Sequence, residues 1–600
     1  MLTGPDAKRC DPIQHSKVEL RSDQRRPSYK GEGLMGSRKS QEGIKLKPSR
    51  PMRDMVYFWS NAEQNARRRT SEHDVLAPPY ASLMKKIDQS RPTDLILSLT
   101  VRPIVSASVA QSVSAFAVNR KVDLANPARS MVRWAKQYGP VFTVHLPKPI
   151  VVVAGHEALK ETLVGAGEAF AGRPDSFLYG IFTGHRPDGD GIILSQGARW
   201  TAQRRFALRA FRQLGMGTRK MDATILFHVN TLLVRIQKEI YDLESAVMDL
   251  HYPLAFCIGN IIQEMKEIYD LEMLLVDEYP WMRFFLPGYR RYVEDGFALQ
   301  RFFLEEIERH ELALDTNEDS DNFIDAYLKD IRNGEKELSK LTLALNAGDL
   351  WTGGMETTVT TLRWMIAYLI HYPGIQRELH EEISAVVGLR PVSSADRLRL
   401  PKVRAAIDEI QRIVNVLPWH IPHTLRDTVT LHGYRIPAGT TVMPQPGAVA
   451  HDPRLFPQPE HFRIGRFLSE KGEYRAREEL TPFGLGKRQC LGEGLARAEL
   501  FLILVSLLQH FEFGPAEELP SLEKTPGMAS VPHEFECSVR RRNFGPEAET
   551  LDARFHSMLK HMMAEKRASA RPEGSESSSG DNALFEDVLE GPDTKNKKDA

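Results

Sequence analysis

The chain has 600 residues, 42% of them apolar and 8% aromatic, enough to build a sizeable core. Its 79 basic residues balance 79 acidic ones, so whole-chain charge gives no case for a nucleic-acid or polyanion partner. Gly (41) and Pro (37) stay near the globular average, which excludes collagen-like and wholly disordered classes, and four scattered cysteines without a CxxC exclude a disulfide scaffold or a structural zinc site.

Predicted elements start late. Residues 1–127 read as an atypical, basic, largely disordered extension: the first 70 carry 16 Lys or Arg against 8 Asp or Glu. No secretory apolar region follows Met1, and Asp6, Asp11 and Glu19 argue against a mitochondrial presequence. The best membrane stretch, 95–118, is interrupted by Arg102, Pro103 and Gln111, so it reads as interfacial rather than spanning. From residue 128 the texture becomes that of a folded domain, extending to 542. KPIVVVAG (148–155) is a β-branched run ending at Gly, a predicted strand. A helix follows at 156–164, and longer helical patterns occupy 200–214, 222–237, 292–310, 338–372 and 402–414. Strand signals cluster at 428–443, where HGYRIPAGT suggests a hairpin with turn glycines Gly433 and Gly439. A strong helix spans 493–509, and 543–600 is a polar, disordered tail. KEIYDLE occurs at 238–244 and again at 266–272; one short repeat is a local duplication or a gene-model error, not a solenoid. The pattern is mainly α with small β-sheets.

The informative stretch is TPFGLGKRQCLGEGLARAEL (481–500). A Gly-rich loop leads to Cys490, just ahead of a helix. The helix dipole and free N–H groups there favour a thiolate, and Lys487 and Arg488 add positive charge. A buried structural cysteine is the plain alternative. A nucleophile needs a base, and no His lies within fifteen residues on either side. A lone cysteine cannot hold bare zinc, but it suits an axial haem ligand, because the porphyrin supplies the other four donors.

FGLGKRQCLG resembles the haem-binding signature of the cytochrome P-450 superfamily, F-x-x-G-x-[RH]-x-C-x-[GA], at Phe483, Gly486, Arg488, Cys490 and Gly492. The extension LGEGLARAELFL is similar to microsomal drug-metabolising-type members of animals and nematodes. The resemblance implies the cytochrome P-450 fold, heme b with iron ligated by Cys490, Phe483 packed beside the thiolate and Arg488 on a haem propionate.

Three further patterns follow the family's order. Glu409 and Arg412 (EIQR) lie one helical turn apart and can pair on one face. Glu306 and Arg309 match the same ExxR spacing, so position relative to Cys490 separates the two. The resemblance joins Glu409 and Arg412 to Arg466 in a structural ion-pair network. GGMETTVTT (353–361) sits inside the long helix, where two glycines cost about 1 kcal/mol each and threonines bend helices; a kinked core helix is the plain reading, and a local opening or π-bulge is the reason such a helix often has. The resemblance makes Gly353 and Gly354 the oxygen-binding groove of the cofactor site. Thr357 then hydrogen-bonds dioxygen and guides protons, and Glu356 links to solvent; these are the catalytic pair. Trp200 and Arg204 (WTAQRR) share a helical face, and a planar guanidinium suits a carboxylate, here a haem propionate. His423, in IPHTLRD, resembles a propionate-binding His, with Arg426 near it.

The implied activity is monooxygenation of a small lipophilic substrate (xenobiotic, fatty acid or steroid). One atom of O2 enters the substrate. Electrons come from NADPH through NADPH-cytochrome P-450 reductase or a cytochrome b-type donor, since no G-x-G-x-x-G follows a strand here. The implied place is the membrane surface of the endoplasmic reticulum, cytosolic face, with no nucleic-acid partner. Two departures stand out: the usual N-terminal anchor and proline-rich hinge are missing, and 262–281 looks shortened across the substrate roof. Two rival readings stay open, a haem-thiolate isomerase or dehydratase and a non-catalytic haem-binding remnant.

Overall fold

The computed structural model describes residues 126–145, 148–186, 188–240, 245–258, 276–277, 280–284, 288–315, 320, 322–335 and 338–542. The extension to 125, the 95–118 stretch, the second KEIYDLE copy, most of 262–281 and the tail from 543 lie outside those residues.

The first half is helical around one hairpin: α1 (Pro127–Tyr138), β1 (Val141–His145), β2 (Pro149–Val153), α2 (His156–Lys160), α3 (Phe177–Thr183), α4 (Gly197–Gln213), α5 (Arg219–Ile240), β3 (Ser245–Met248), α6 (His251–Ile258) and α7 (Gly288–Ala313). The second half holds α8 (Phe323–Arg332), α9 (Lys340–His371), α10 (Pro373–Val386), α11 (Pro401–Val414), β4 (His423–Thr424), β5 (Val429–Leu431), β6 (Tyr434–Ile436), β7 (Thr441–Pro444), α12 (Pro446–Ala450), α13 (Glu493–His510), β8 (Phe511–Pro515) and β9 (Cys537–Arg541). The architecture is the mainly helical one with small sheets expected from the sequence.

The larger sheet runs β1-β2-β7-β4, with β2 and β7 parallel and the other pairs antiparallel. Its strands come from opposite ends of the chain, so it ties the N-terminal hairpin to the segment before the cysteine loop. The predicted hairpin is β5–β6. Its two-residue turn places His432 at φ 47° and Gly433 at φ 81°, the paired positive φ of a tight hairpin turn.

The main core is formed by α5, α6, α9, α10, α11 and α13. α13 is buried without interruption from Leu500 to Gln509, and α9 from Thr358 to Ile370. Helices apolar on all sides belong in the centre of a large fold. Each fully buried Leu, Ile or Phe contributes roughly 1.5–3 kcal/mol, so these two helices anchor whatever their N-terminal halves carry. Ser339 caps α9 by accepting from Thr342 N.

Two local expectations change. The helix predicted at 156–164 is α-helical only to Lys160 and continues as a π turn over Glu161–Gly165. The cysteine loop leans on that turn: a Cβ at Gly486 (φ 73°) would stand 1.7 Å from the Leu163 carbonyl oxygen, so only glycine fits. Conversely, α9 runs as unbroken α-helix through Gly353 and Gly354. The Thr357 and Thr358 hydroxyls donate to the Gly353 and Gly354 carbonyls at 2.8 Å, which satisfies both without opening the helix.

Candidate active site

Cys490 is placed by its loop. Its N–H donates to the Phe483 carbonyl at 2.9 Å, and Gly484 and Gly486 both adopt positive φ. Arg497 lies 4.7 Å over the Phe483 ring and donates to Glu493, which also accepts from Gln489. The thiol has solvent-accessible surface yet is enclosed deeply enough for burial to dominate its titration. Cys490 is therefore reachable from solvent on one side and packed against protein on the other. Gly353, Gly354 and Gly492 border open space: a Cβ on any of them would meet nothing within 4 Å.

The expected help to a thiolate is present at Cys490, from the Gly492 N–H and Arg204, but burial works against it. Burial pushes the thiol up from its ordinary value, and Glu493 adds to that; the Gly492 N–H and Arg204 oppose it and lose. Lys487 does not help, since it pairs with Glu168 on the surface at 2.6 Å. Arg204 is the cation of the chain that acts on this sulfur in favour of a thiolate.

Close by is a group of arginines without acids. Arg488 donates to the carbonyls of Ala171 (2.9 Å) and Ser195 (2.7 Å), and its guanidinium lies 3.9 Å from the Trp200 ring centroid. Arg204 donates to the Gln489 carbonyl at 2.6 Å and sits 5.9 Å over the same ring. Arg173, buried, donates to the carbonyls of Ile193 (3.0 Å) and Pro422 (2.8 Å). Among the described residues none of the three has a carboxylate within ion-pair distance. Burial first, then Arg173, Arg204 and Arg426, push Arg488 down to about 8. Guanidinium does not give up its proton, so that depression measures uncompensated positive charge, which an anion would relieve. Arg488 Nη1, Trp200 Nε1 and His420 Nδ1 are buried without a partner among the described residues. Buried polar groups rarely stay unpaired, so these are donors and acceptors waiting for a ligand or water.

His423, on β4, is buried and holds the Phe170 carbonyl through Nδ1 at 2.5 Å. Burial and Arg173 push it down to about 3, so its ring is neutral. With Nδ1–H spent on Phe170, Nε2 can only accept, and a carboxylate beside it would have to bring a second proton onto the ring.

Glu409 and Arg412 pair bidentately at 2.7 and 2.9 Å, both fully buried. Glu409 Oε1 also accepts from Arg466 Nε (3.1 Å) and Arg463 N (2.8 Å), and Arg412 donates to the Ala450 carbonyl. This network is separate from the arginine group around Trp200. The Glu306–Arg309 match is a partly exposed surface pair. Glu356 Oε1 accepts from Thr360 Oγ1 at 3.3 Å and lies near enough to Arg363 to act on its charge.

Sequence reasoning missed Arg173, His420 and Asp349. No motif or period marked them. Asp349, on α9, accepts from Ile192 N (2.6 Å) and Ile193 N (2.9 Å), and burial pushes it up to about 6. It thereby holds the loop whose Ile193 and Ser195 carbonyls receive Arg173 and Arg488.

A mainly helical fold with a Cys loop ahead of a buried helix defines the class, and the cytochrome P450 family model matches residues 114–539. The chain belongs to that family, whose members are haem monooxygenases. The match starts ahead of the boundary at 127/128 read from the sequence. Among its relatives, a 3-ketosteroid oxygenase of Caenorhabditis elegans is 36% identical over 68% of this chain and 76% of its own length. Cytochrome P450 2C70 of Mus musculus is 35% identical over 69% of this chain and 90% of its own, and cytochrome P450 2C29 of the same species likewise. The family's cofactor is haem b held by a cysteine thiolate. The residues present fit it: an accessible thiol just ahead of a helix, three wholly or partly buried guanidiniums with no carboxylate in ion-pair distance among the described residues, and glycines that border open space. Among the described residues no cluster of three His, Cys, Asp or Glu side chains offers a metal site of another kind, and no helix is long and apolar enough to cross a membrane.

Proposed function

We propose that this chain inserts one oxygen atom into a small lipophilic substrate, with the xenobiotic, fatty-acid and steroid classes as substrates. The balance is C–H plus O2, two electrons and two protons to C–OH plus water. Electrons come from NADPH through a cytochrome P450 reductase, or in part from a cytochrome b-type donor, at the cytosolic face of the endoplasmic reticulum. The name of the nematode relative favours steroids as the first class to test. The observation that carries the reading is the arginine group without acids beside the Cys490 loop.

In this reading Cys490 is the iron ligand. Haem, when bound, supplies the oxygen chemistry, with thiolate donation favouring O–O cleavage. Arg488 and Arg204, with Trp200 Nε1 and the unpredicted Arg173, receive the propionates; His423 joins them once it carries a second ring proton. Phe483, Gly486 and Gly492 shape the loop around the sulfur. Gly353 and Gly354 leave room for a flat ligand and for dioxygen. Thr357 would have to turn its one hydroxyl hydrogen away from the Gly353 carbonyl, which holds it at 2.8 Å, to hand a proton on, and Glu356 would pass protons from the Arg363 side. Glu409, Arg412 and Arg466 brace the chain ahead of the loop and touch no reactant.

The deciding experiment is the spectrum of the reduced, carbon-monoxide-bound protein against Cys490→Ala, followed by turnover with NADPH, reductase and a steroid or fatty-acid panel. We expect the thiolate signature in the wild type alone, and an oxygenated product. Full haem loading with no product would favour the binding remnant; peroxide rearrangement without NADPH would favour the isomerase.

A further inference from the structure

His420 stands in the turn that leaves α11, between Pro418 and Pro422. Its backbone N–H donates to the Leu417 carbonyl at 3.2 Å, and its φ is 55°. That left-handed conformation is costly for a residue with a Cβ, and a turn with no other duty is better served by glycine or asparagine. Two neighbours place the side chain. A Cβ on Gly484, in the cysteine loop, would lie 3.6 Å from Cε1 of His420 and 3.9 Å from Nε2, so that edge of the ring rests against the loop. Arg173 donates to the Pro422 carbonyl at 2.8 Å, two residues further along the same turn. Nδ1 of His420 is buried and has no partner among the described residues.

The two histidines beside Arg173 differ in what they can give. A neutral imidazole carries one N–H. His423 commits its Nδ1 to the Phe170 carbonyl at 2.5 Å. His420 has no such commitment, so the tautomer with its hydrogen on Nδ1 is able to donate. A carboxylate brought among Arg173, Arg204 and Arg488 has about four lone-pair sites to fill, more than one guanidinium fork occupies. Burial first, then Arg173, push His420 down to about 4. The ring is therefore neutral, and it donates without adding charge to a group already crowded with it.

We propose that His420 is a cofactor-binding residue whose Nδ1–H donates to a porphyrin carboxylate, in the role that the sequence motif gave to His423. This rests on the haem reading above and deepens it. The strained turn is then a local cost offset by a charge-assisted hydrogen bond in an enclosed site.

The test follows haem release from the full-length protein to an acceptor globin. His420→Gly removes the imidazole and suits the positive φ, so it should fold as well as the wild type yet release haem about tenfold faster. His420→Asn tolerates the same φ and sets an amide N–H near the place of Nδ1, so it should release haem at close to the wild-type rate. Reconstitution with the iron porphyrin dimethyl ester, which has no free carboxylate, should make wild type and His420→Gly equal. The propionate bending band in the resonance Raman spectrum should shift in His420→Gly and stay in place in His420→Asn. If His420→Gly does not fold, His420→Phe keeps a flat ring against Gly484 without either nitrogen and takes its part. Equal haem release by wild type and His420→Gly, an Asn variant as fast as the Gly variant, or a difference that persists with the ester would overturn the proposal. A chain that takes up no porphyrin would overturn the functional reading and this proposal with it, whereas a fully loaded chain with equal release rates would overturn this proposal alone.

Discussion

Two groups of arginines in this molecule meet opposite conditions. Around Glu409, two guanidiniums and one backbone N–H converge on a single carboxylate, and the remaining donors reach carbonyls. Around Trp200, three guanidiniums reach only carbonyls and an aromatic face. The first group is complete within the chain. The second carries charge, fully buried at Arg173 and partly buried at Arg204 and Arg488, that a ligand's carboxylates would neutralise. A closed network stabilises the fold, whereas an open one stores affinity for whatever closes it.

The largest effect should come from opening the closed network. Glu409→Ala leaves Arg412 and Arg466 buried without a counter-charge and should cost about 3–5 kcal/mol, read by denaturant unfolding. The opposite outcome should follow at the open group. Arg488→Ala removes uncompensated charge, so the chain without porphyrin should melt no lower than wild type. Porphyrin should leave the loaded variant about ten- to a hundredfold faster, read by transfer to an acceptor globin. Equal losses in both states would erase the contrast between the groups. The smallest effect belongs to the other ExxR match: Glu306→Ala breaks a surface pair and should cost at most about 0.5 kcal/mol. Identical costs for Glu306→Ala and Glu409→Ala would mean that burial does not separate them.

Two ExxR matches with the same spacing differ only in surroundings, which shows where reading the chain stops. Spacing alone put Glu306 beside Arg309 as well as Glu409 beside Arg412, because a helical turn is local. What made one pair a buried hub was Arg466 and Arg463, more than fifty residues on. Cys490 was legible for a related reason: loop, cysteine and helix are contiguous, although what forces glycine at 486 is the Leu163 carbonyl across the fold. Arg173 was not legible, since it meets Arg204 and Arg488 only through tertiary packing. The glycine pair in α9 misled, because threonine hydroxyls close their own carbonyls within one turn and leave the helix intact.

Element types, motif order and the identity of the cysteine therefore come from neighbours within a few residues, where backbone geometry and side-chain period act directly. The surroundings of that sulfur and the uncompensated charge at Arg488 come from atoms brought together across the fold. Titration and charge compensation depend on distance and desolvation, and neither is written in the spacing of a chain.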